Sequence, residues 1–487
     1  MRRFGLSKSK IAAFEQCPKK LWLATHRPEL AEQDEGAEAR FATGHAAGDE
    51  ACRQCAGGVM VEAEPDLAAA IATTRALIEG GHDAPIFEAT FQHDGVLVRC
   101  DVLEPDGSGA WRMVEVKSSG GPKPYHEGDL ATQIWVVENA GVPLSGAAIR
   151  HIDTSFVLER EGDYRGVFAD AEMRADLAPV VAERGAVVAA ARATLAGSEP
   201  VVDVGEHCDA PFACEFAGHC HAGLPDGPEW PVTVLPYGGG KKWLAKGVTD
   251  LCAVDPAALT NATHAKVHAA TVSGVAYHDR EGARVATADW AFPRIWLDFE
   301  TIAFALPRWI GTRPYEQVPF QFSAHVEAVD GAMCHVEFLS LDGADPRRAC
   351  AEALATLPGE GALIAYNAGF ERGVIMKLAA AFLDLAPTLE SLAARLVDLL
   401  PVARAHWYHR DQRGSWSIKA VLPTVAPELD YAGLEVKDGG NAQAAYLEAA
   451  DPATGADRHA ALENALRVYC ARDTEAMVVV ARALTGE

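Results

Sequence analysis

The chain has 487 residues, 49% hydrophobic and 23% charged, a globular composition that excludes wholesale disorder. Lys and Arg number 43 against 68 Asp and Glu, a formal net charge of −25, which excludes a sticky basic coat for nucleic acid and predicts weak, salt-dependent non-specific affinity. No uncharged apolar run approaches the roughly 20 residues of a membrane span, and the basic start MRRFGLSKSKIAAFEQCPKK lacks the apolar core of a secretory signal, so a cytoplasmic protein with no membrane partner is expected.

Three blocks follow in chain order: 1–222, 223–290 and 291–487. In the first, FEQCPKKLWL places Cys17 just before Pro18, which opens a short helix. The CRQC pair, Cys52 and Cys55, sits in a Gly/Ala-rich segment with no second pair nearby and reads as unremarkable thiols. IFEATFQ, VLVRCDVLEP and RMVEVKSS are β-rich and read as successive strands of a meander, with the turn DGSG at Asp106–Gly109. That hairpin brings Asp101 near Glu115 and Lys117, and strand alternation puts Glu115 and Lys117 on one side with Val116 on the other. Two carboxylates and a lysine on one face suit metal-dependent phosphodiester cleavage, the acids holding the ion and the lysine orienting water. An exposed hairpin with a salt bridge has the same spacing. The block closes on Cys208, Cys214 and Cys220 in HCDAPFACEFAGHCHAG, a turn-rich ligand loop that needs a fourth partner. Cys17 is the candidate, and zinc or an iron–sulfur cluster would accept the set.

The stretch GLPDGPEWPVTVLPYGGG reads as a boundary, followed by a small helical segment in which Lys241, Lys242 and Lys246 could meet phosphate or simply be solvated. The third block opens with the strand IWLDFE, whose Asp298 and Glu300 share a face. LIAYNAGFERGVI follows, a buried strand ending at Asn367 with Glu371 at the start of a helix. Asp398 reads as a supporting acid or a plain helix-face charge. His406, His409 and Arg410 read as a solvated loop or a strand contact, and Ser417 and Lys419 lie in GSWSIKAVLP. In VYCARDTEAM, Tyr469 and Asp473 are four apart and share a helix face. Four acids from separate elements are costly to cluster unless cations neutralise them, which argues for two divalent metals, with Tyr469 positioning the attacking water.

These residues carry two resemblances. Asp101 with Glu115-Val-Lys117 resembles the Asp…Glu-x-Lys core of the PD-(D/E)xK nucleases, and more specifically the RecB-like branch. The resemblance implies a metal histidine at His45 after Gly44, a tolerated acid at Glu88, and a helical glutamine at Gln133, with Val137 where the branch carries an aromatic. It also implies a [4Fe–4S] cluster on Cys17, Cys208, Cys214 and Cys220 that pins the domain's two ends together. The later motifs resemble the ribonuclease-H-like DEDDy exonucleases: Asp298 and Glu300 in the first, Glu371 in place of aspartate in the second, Tyr469 and Asp473 in the third. Asn367, Ser417 and Lys419 then fall where such enzymes touch the substrate backbone. As a whole the chain is similar to an uncharacterised bacterial family that fuses the two nucleases.

The expected architecture is therefore an N-terminal restriction-endonuclease-like α/β domain with an iron–sulfur cluster, a helical middle segment, and a C-terminal ribonuclease-H-like α/β domain. The expected function is a Mg²⁺- or Mn²⁺-dependent nuclease acting on DNA with single-stranded or free ends. An RNA-processing exonuclease with a binding N-terminal domain and a non-catalytic nucleic-acid scaffold are the alternatives. The acid excess is partly the proposed chemistry itself, since seven of the acids are expected to face metals.

Overall fold

The structure, a computed structural model, describes residues 5–32, 37–64, 66–429 and 431–487. It is mixed α/β throughout, and the chain divides into two units: Met1–Leu224 with Phe304–Glu316, and Pro225–Ala303 with Gln317–Glu487. The expected middle block, 223–290, is thus not a body of its own but belongs to the second unit. Backbone pairing explains this, since Tyr277–His278 forms an antiparallel ladder with Trp407–Tyr408. Gly414, at φ +82°, lies so close to the carbonyl oxygen of Val234 that any side chain there would collide with it. Residues 304–316, expected in the C-terminal block, join the first unit through Leu158 N to Thr312 O at 3.1 Å and Gly311 N to Leu158 O at 2.7 Å.

In the first unit the meander forms as strands Ile86–His93, Val96–Pro105 and Trp111–Lys117, all antiparallel. The turn between the last two is closed by Asp106, whose Oδ1 accepts the Ser108 amide at 2.8 Å. Leu144–Ile152 adds in parallel beside Trp111–Lys117, and Phe168–Glu172 completes that edge. Val59–Met60 lies at the other edge, and Leu6–Ser7 pairs in parallel with Val96 and Leu97. One face buries Ile86, Val98, Met113 and Ile149 under helices Lys8–Gln16, Pro124–Asn139 and Ala178–Ala196. The other face carries a small cluster of Phe87, Val102 and Val114, against which Cys52, Cys55 and Val116 rest. Burial pushes the Cys52 thiol up to about 11 and raises Cys55 as well, and Arg150 Nη1 reaches Cys55 Sγ at 3.7 Å.

The second unit is built on a five-stranded sheet in the order Met333–Leu339, Val318–Glu327, Arg294–Ile302, Leu363–Ala365, Leu396–Asp398. The first three strands are antiparallel and the last two run parallel to Arg294–Ile302. Alternation sorts the central strand: Ile295, Leu297 and Phe299 enter an apolar core with Val374, Ile375 and Leu389. Asp298 and Glu300 therefore face the other way, toward the 30-residue helix Ala456–Thr485, which packs on this strand and its antiparallel neighbour. Among the described residues no helix is long and apolar enough to cross a membrane.

Candidate metal and nucleic-acid sites

The first unit gathers Asp101, Glu115, Lys117 and Gln133 as expected, and adds Lys8. Glu115 is 1% exposed, and its carboxylate accepts from Lys8 Nζ at 2.5 Å, Lys117 Nζ at 2.7 Å and Gln133 Nε2 at 2.5 Å. Burial alone would raise its pKa, but the two ammonium groups overcome that and hold it at about 2. Asp101 Oδ2 accepts the Val116 amide at 2.7 Å. It has the opposite fate: burial, then the Glu115 charge, lifts it to about 7. Two acids with divergent protonation, beside a lysine, form a site that can hold an ion and trade a proton.

Lys8 reaches Glu115 because Leu6–Ser7 joins the sheet and Ser7 then caps the helix that Lys8 begins, its Oγ accepting the Lys10 amide. Asp129, 3.7 Å from Lys117, is a further acid that sequence reasoning missed. Its helix was identified, but its facing side was not. His45 is exposed on helix Ala37–Gln54, which packs on strand Trp111–Lys117, and it makes no hydrogen bond or ion pair to the acids. Glu88 sits at φ +53° between Phe87 and Ala89, whose pairing with Val102 and Cys100 keeps one register, and it pairs with Arg99 at 3.1 Å.

Cys17, Cys208, Cys214 and Cys220 line one cavity together with Lys19, Lys20 and Phe216. The Cys214 amide donates to Cys208 O at 2.8 Å, folding the ligand loop back on itself. Burial raises the Cys214 and Cys220 thiols. No three of the sulfurs lie within 4.8 Å of one another, so as they stand the thiols do not form a closed ligand set. Four thiolates on one zinc would lie about 3.8 Å apart, from the Zn–S distance of roughly 2.3 Å.

In the second unit one carboxylate oxygen from each of Asp298, Glu300 and Asp473 lies within 4.8 Å of the others. These acids line an open cavity of about 270 Å³ with Asn367, Glu371, Lys419 and Tyr469. Burial first, then the mutual charges, raises Asp298 far above the carboxylate range and lifts Glu300 to about 8; Asp473 is raised too. Glu371 is 3% exposed, pushed up to about 8 by burial, and its Oε2 has no hydrogen-bond partner. It lines the cavity without joining the tight trio. Asp398 supports this wall from behind, accepting the amides of Asn367 at 3.0 Å, Ala368 at 3.1 Å and Leu400 at 2.9 Å.

Two further groups hold the cavity's side chains in place. Lys419 Nζ donates to Tyr469 Oη at 2.9 Å and to Lys437 O at 2.7 Å, so it holds the tyrosine and not a carboxylate. Tyr431, which sequence reasoning missed, donates its hydroxyl to Asp473 Oδ1 at 2.6 Å. It lies outside helix and strand and leaves no periodic signal. Ser417 is exposed and is not among the lining residues, and Lys241 and Lys242 are exposed on the short helix Lys241–Leu244.

Residues 295–417 match a family model described as a domain of unknown function, DUF2779. The match contains Asp298, Glu300 and Glu371 and stops short of Tyr469 and Asp473. No curated protein matches the chain. A solved structure titled "Crystal structure of SSO0001" is 14% identical, with a TM-score of 0.23 over 45% of this chain and 87% of that one.

Proposed function

We propose that the protein is a metal-dependent nuclease acting on DNA with single-stranded or free ends, with one phosphodiester-hydrolysing site in each unit. In this reading the first unit is a RecB-like member of the restriction-endonuclease fold and the second a ribonuclease-H-like domain of DEDDy type. The observation that carries it is the trio of half-buried Asp298 with buried Glu300 and Asp473, with oxygens within 4.8 Å of one another and, among the described residues, no ammonium or guanidinium bonded to any of the three. Such a cluster is unfavourable as a purely structural device, and the orphaned Glu371 Oε2 beside it adds unsatisfied acceptor capacity. The donor set, all carboxylate oxygen, fits Mg²⁺ or Mn²⁺.

Asp298, Glu300 and Asp473 would hold the metal, with Glu371 within the same cavity. When bound, the divalent ion supplies Lewis-acid stabilisation of charge on phosphorus and a more acidic water. The chain's own part is positional. Tyr469 presents its hydroxyl to the cavity with its orientation fixed by Lys419, where it can accept a hydrogen bond from the attacking water. In the first unit Asp101 and Glu115 would hold the ion, Lys117 lies beside them to orient water, and Gln133 fixes the Glu115 carboxylate. The four cysteines match a [4Fe–4S] cluster in donor type and share one cavity, and a cluster with a structural role would have to draw the thiols into a ligand arrangement they do not hold as they stand.

The test is a time-resolved product ladder on end-labelled single-stranded DNA, duplex DNA and RNA with Mn²⁺ or Mg²⁺, for wild type, Asp101→Ala, Asp298→Ala and the double variant. Loss of metal-dependent digestion in the double variant is expected. A double variant that digests ends like wild type overturns both sites, and exclusive action on RNA overturns the choice of DNA.

A further inference from the structure

Arginines in this acidic chain commonly meet carboxylates: Arg112, Arg150, Arg348 and Arg458 each contact at least two. A group of cations in the second unit behaves differently, resting on aromatic rings instead of acids. Lys266 Nζ lies 4.9 Å from the ring centre of Tyr277 and 5.5 Å from that of Trp416. The Arg404 guanidinium lies 5.7 Å from the ring of Tyr237. Arg410 and Arg413 flank Trp230 at 5.3 and 5.0 Å.

Lys266 and Arg404 line one open cavity of about 480 Å³ with Thr263 and Tyr277. Lys266 Nζ donates to the carbonyls of Arg404 at 2.5 Å and Ala405 at 3.1 Å, at the end of helix Leu399–His406. An ammonium has three donors, so one remains for a ligand. The Arg404 guanidinium has no hydrogen bond or ion pair among the described residues, and its buried Nε is unpartnered. Burial lowers Lys266 to about 8, a half-desolvated cation with no acid paired to it among the described residues. Two aromatic faces beside the cations are open to solvent, Tyr277 at 39% and Tyr237 at 73%. The Arg404 charge also reaches Tyr366, which lines the acid cavity of the same unit.

We propose that Lys266 and Arg404 grip the phosphodiester backbone of a single-stranded nucleic acid while Tyr277 and Tyr237 stack its bases, guiding the strand toward the acid cavity. Cations interleaved with exposed aromatics are the pattern of sequence-tolerant strand binding, and stacking requires unpaired bases. The inference deepens the nuclease reading and rests on it for the strand's destination, but not for the binding itself.

The test is fluorescence anisotropy of the full chain with labelled twelve-nucleotide oligodeoxyuridylate and oligouridylate in EDTA, so that no turnover occurs. Arg404→Gln is expected to weaken binding about tenfold and to lower the log–log salt slope by about 0.7, one phosphate contact on a single strand. Tyr277→Ala is expected to weaken binding by about tenfold with the salt slope unchanged. Arg458→Gln removes the same charge from an acid-paired site of the same unit and serves as the control. Whichever oligonucleotide binds more tightly identifies the sugar, and loss with either supports the subsite. The subsite is overturned if Arg404→Gln and Tyr277→Ala weaken binding no more than Arg458→Gln does. Digestion that survives in the Asp101→Ala, Asp298→Ala double variant would instead defeat the nuclease sites proposed above and leave the anisotropy result to judge the subsite alone.

Discussion

Withdrawing divalent ions from the second unit should make its stability fall as pH rises. In the metal-free chain Glu300 and Glu371 are each held near 8, against an ordinary 4.5, by burial first and then by Asp473 for Glu300 and Asp398 for Glu371. Below about pH 4.5 these groups are protonated in both folded and unfolded chains, and they leave stability unchanged. Between 4.5 and 8 the unfolded chain releases the proton and the folded chain keeps it. Stability then drops by about 1.4 kcal/mol per pH unit for each group, and it levels off above 8. Over three units, from about pH 5 to about pH 8, one such group amounts to about 4 kcal/mol. At roughly 2–4 °C per kcal/mol for a unit of this size, each such group should lower the melting temperature by about 10 °C over that range. A divalent ion competes with the protons, so Mn²⁺ should raise the melting temperature more at pH 8 than at pH 5. Calorimetry in EDTA and in millimolar Mn²⁺ reads both effects, and Glu300→Gln should flatten the slope in EDTA. A wild-type melting temperature that is level across this range in EDTA, or an equal Mn²⁺ shift at both ends, refutes the reasoning.

Three further outcomes are expected. Lys8→Met leaves Glu115 buried with one fewer donor and should destabilise the first unit by about 3 kcal/mol in metal-free urea denaturation, with less loss when Mg²⁺ is present. Lys419→Met frees the Tyr469 hydroxyl and should lower kcat about a hundredfold with a smaller change in KM, measured on a short end-labelled strand. Anaerobically purified protein should be brown, with a broad visible shoulder that Cys214→Ala removes; a colourless protein carrying zinc would count against the cluster.

What could be read in advance was whatever depends on short-range geometry. Asp298 and Glu300 share a face because strand side chains alternate, and Tyr469 and Asp473 share one because four residues make about one helical turn. The meander and its Asp106 turn follow from β-rich runs punctuated by turn residues. What escaped depends on contacts between distant segments. Lys8 and Glu115 are separated by 107 positions, and only the pairing of Leu6 with Val96 brings them together. Tyr431 and Asp473 meet from a loop and a helix, and no period marks such a residue. The unit boundaries shifted for the same reason: 304–316 looks like a loop between two strands, yet its backbone partners lie near residue 158. His45 was placed by motif alone, and helix Ala37–Gln54 turns it to solvent.

The two acid sites differ in where their neutralising charge comes from. Glu115 brings its own in the form of Lys8 and Lys117, so that pocket is already balanced when empty, and an arriving ion must evict an ammonium before it can settle. Among the described residues the cation that acts on the trio around Asp298 is Lys419, and that side chain is committed to Tyr469 and a backbone carbonyl. Its deficit can be met only by protons or by metal drawn from solution. Should both pockets take divalent ions as proposed, their availability would act as a selector between the halves of one polypeptide: scarcity would leave the first pocket at rest and the second in debt, and abundance would be felt by the second before the first.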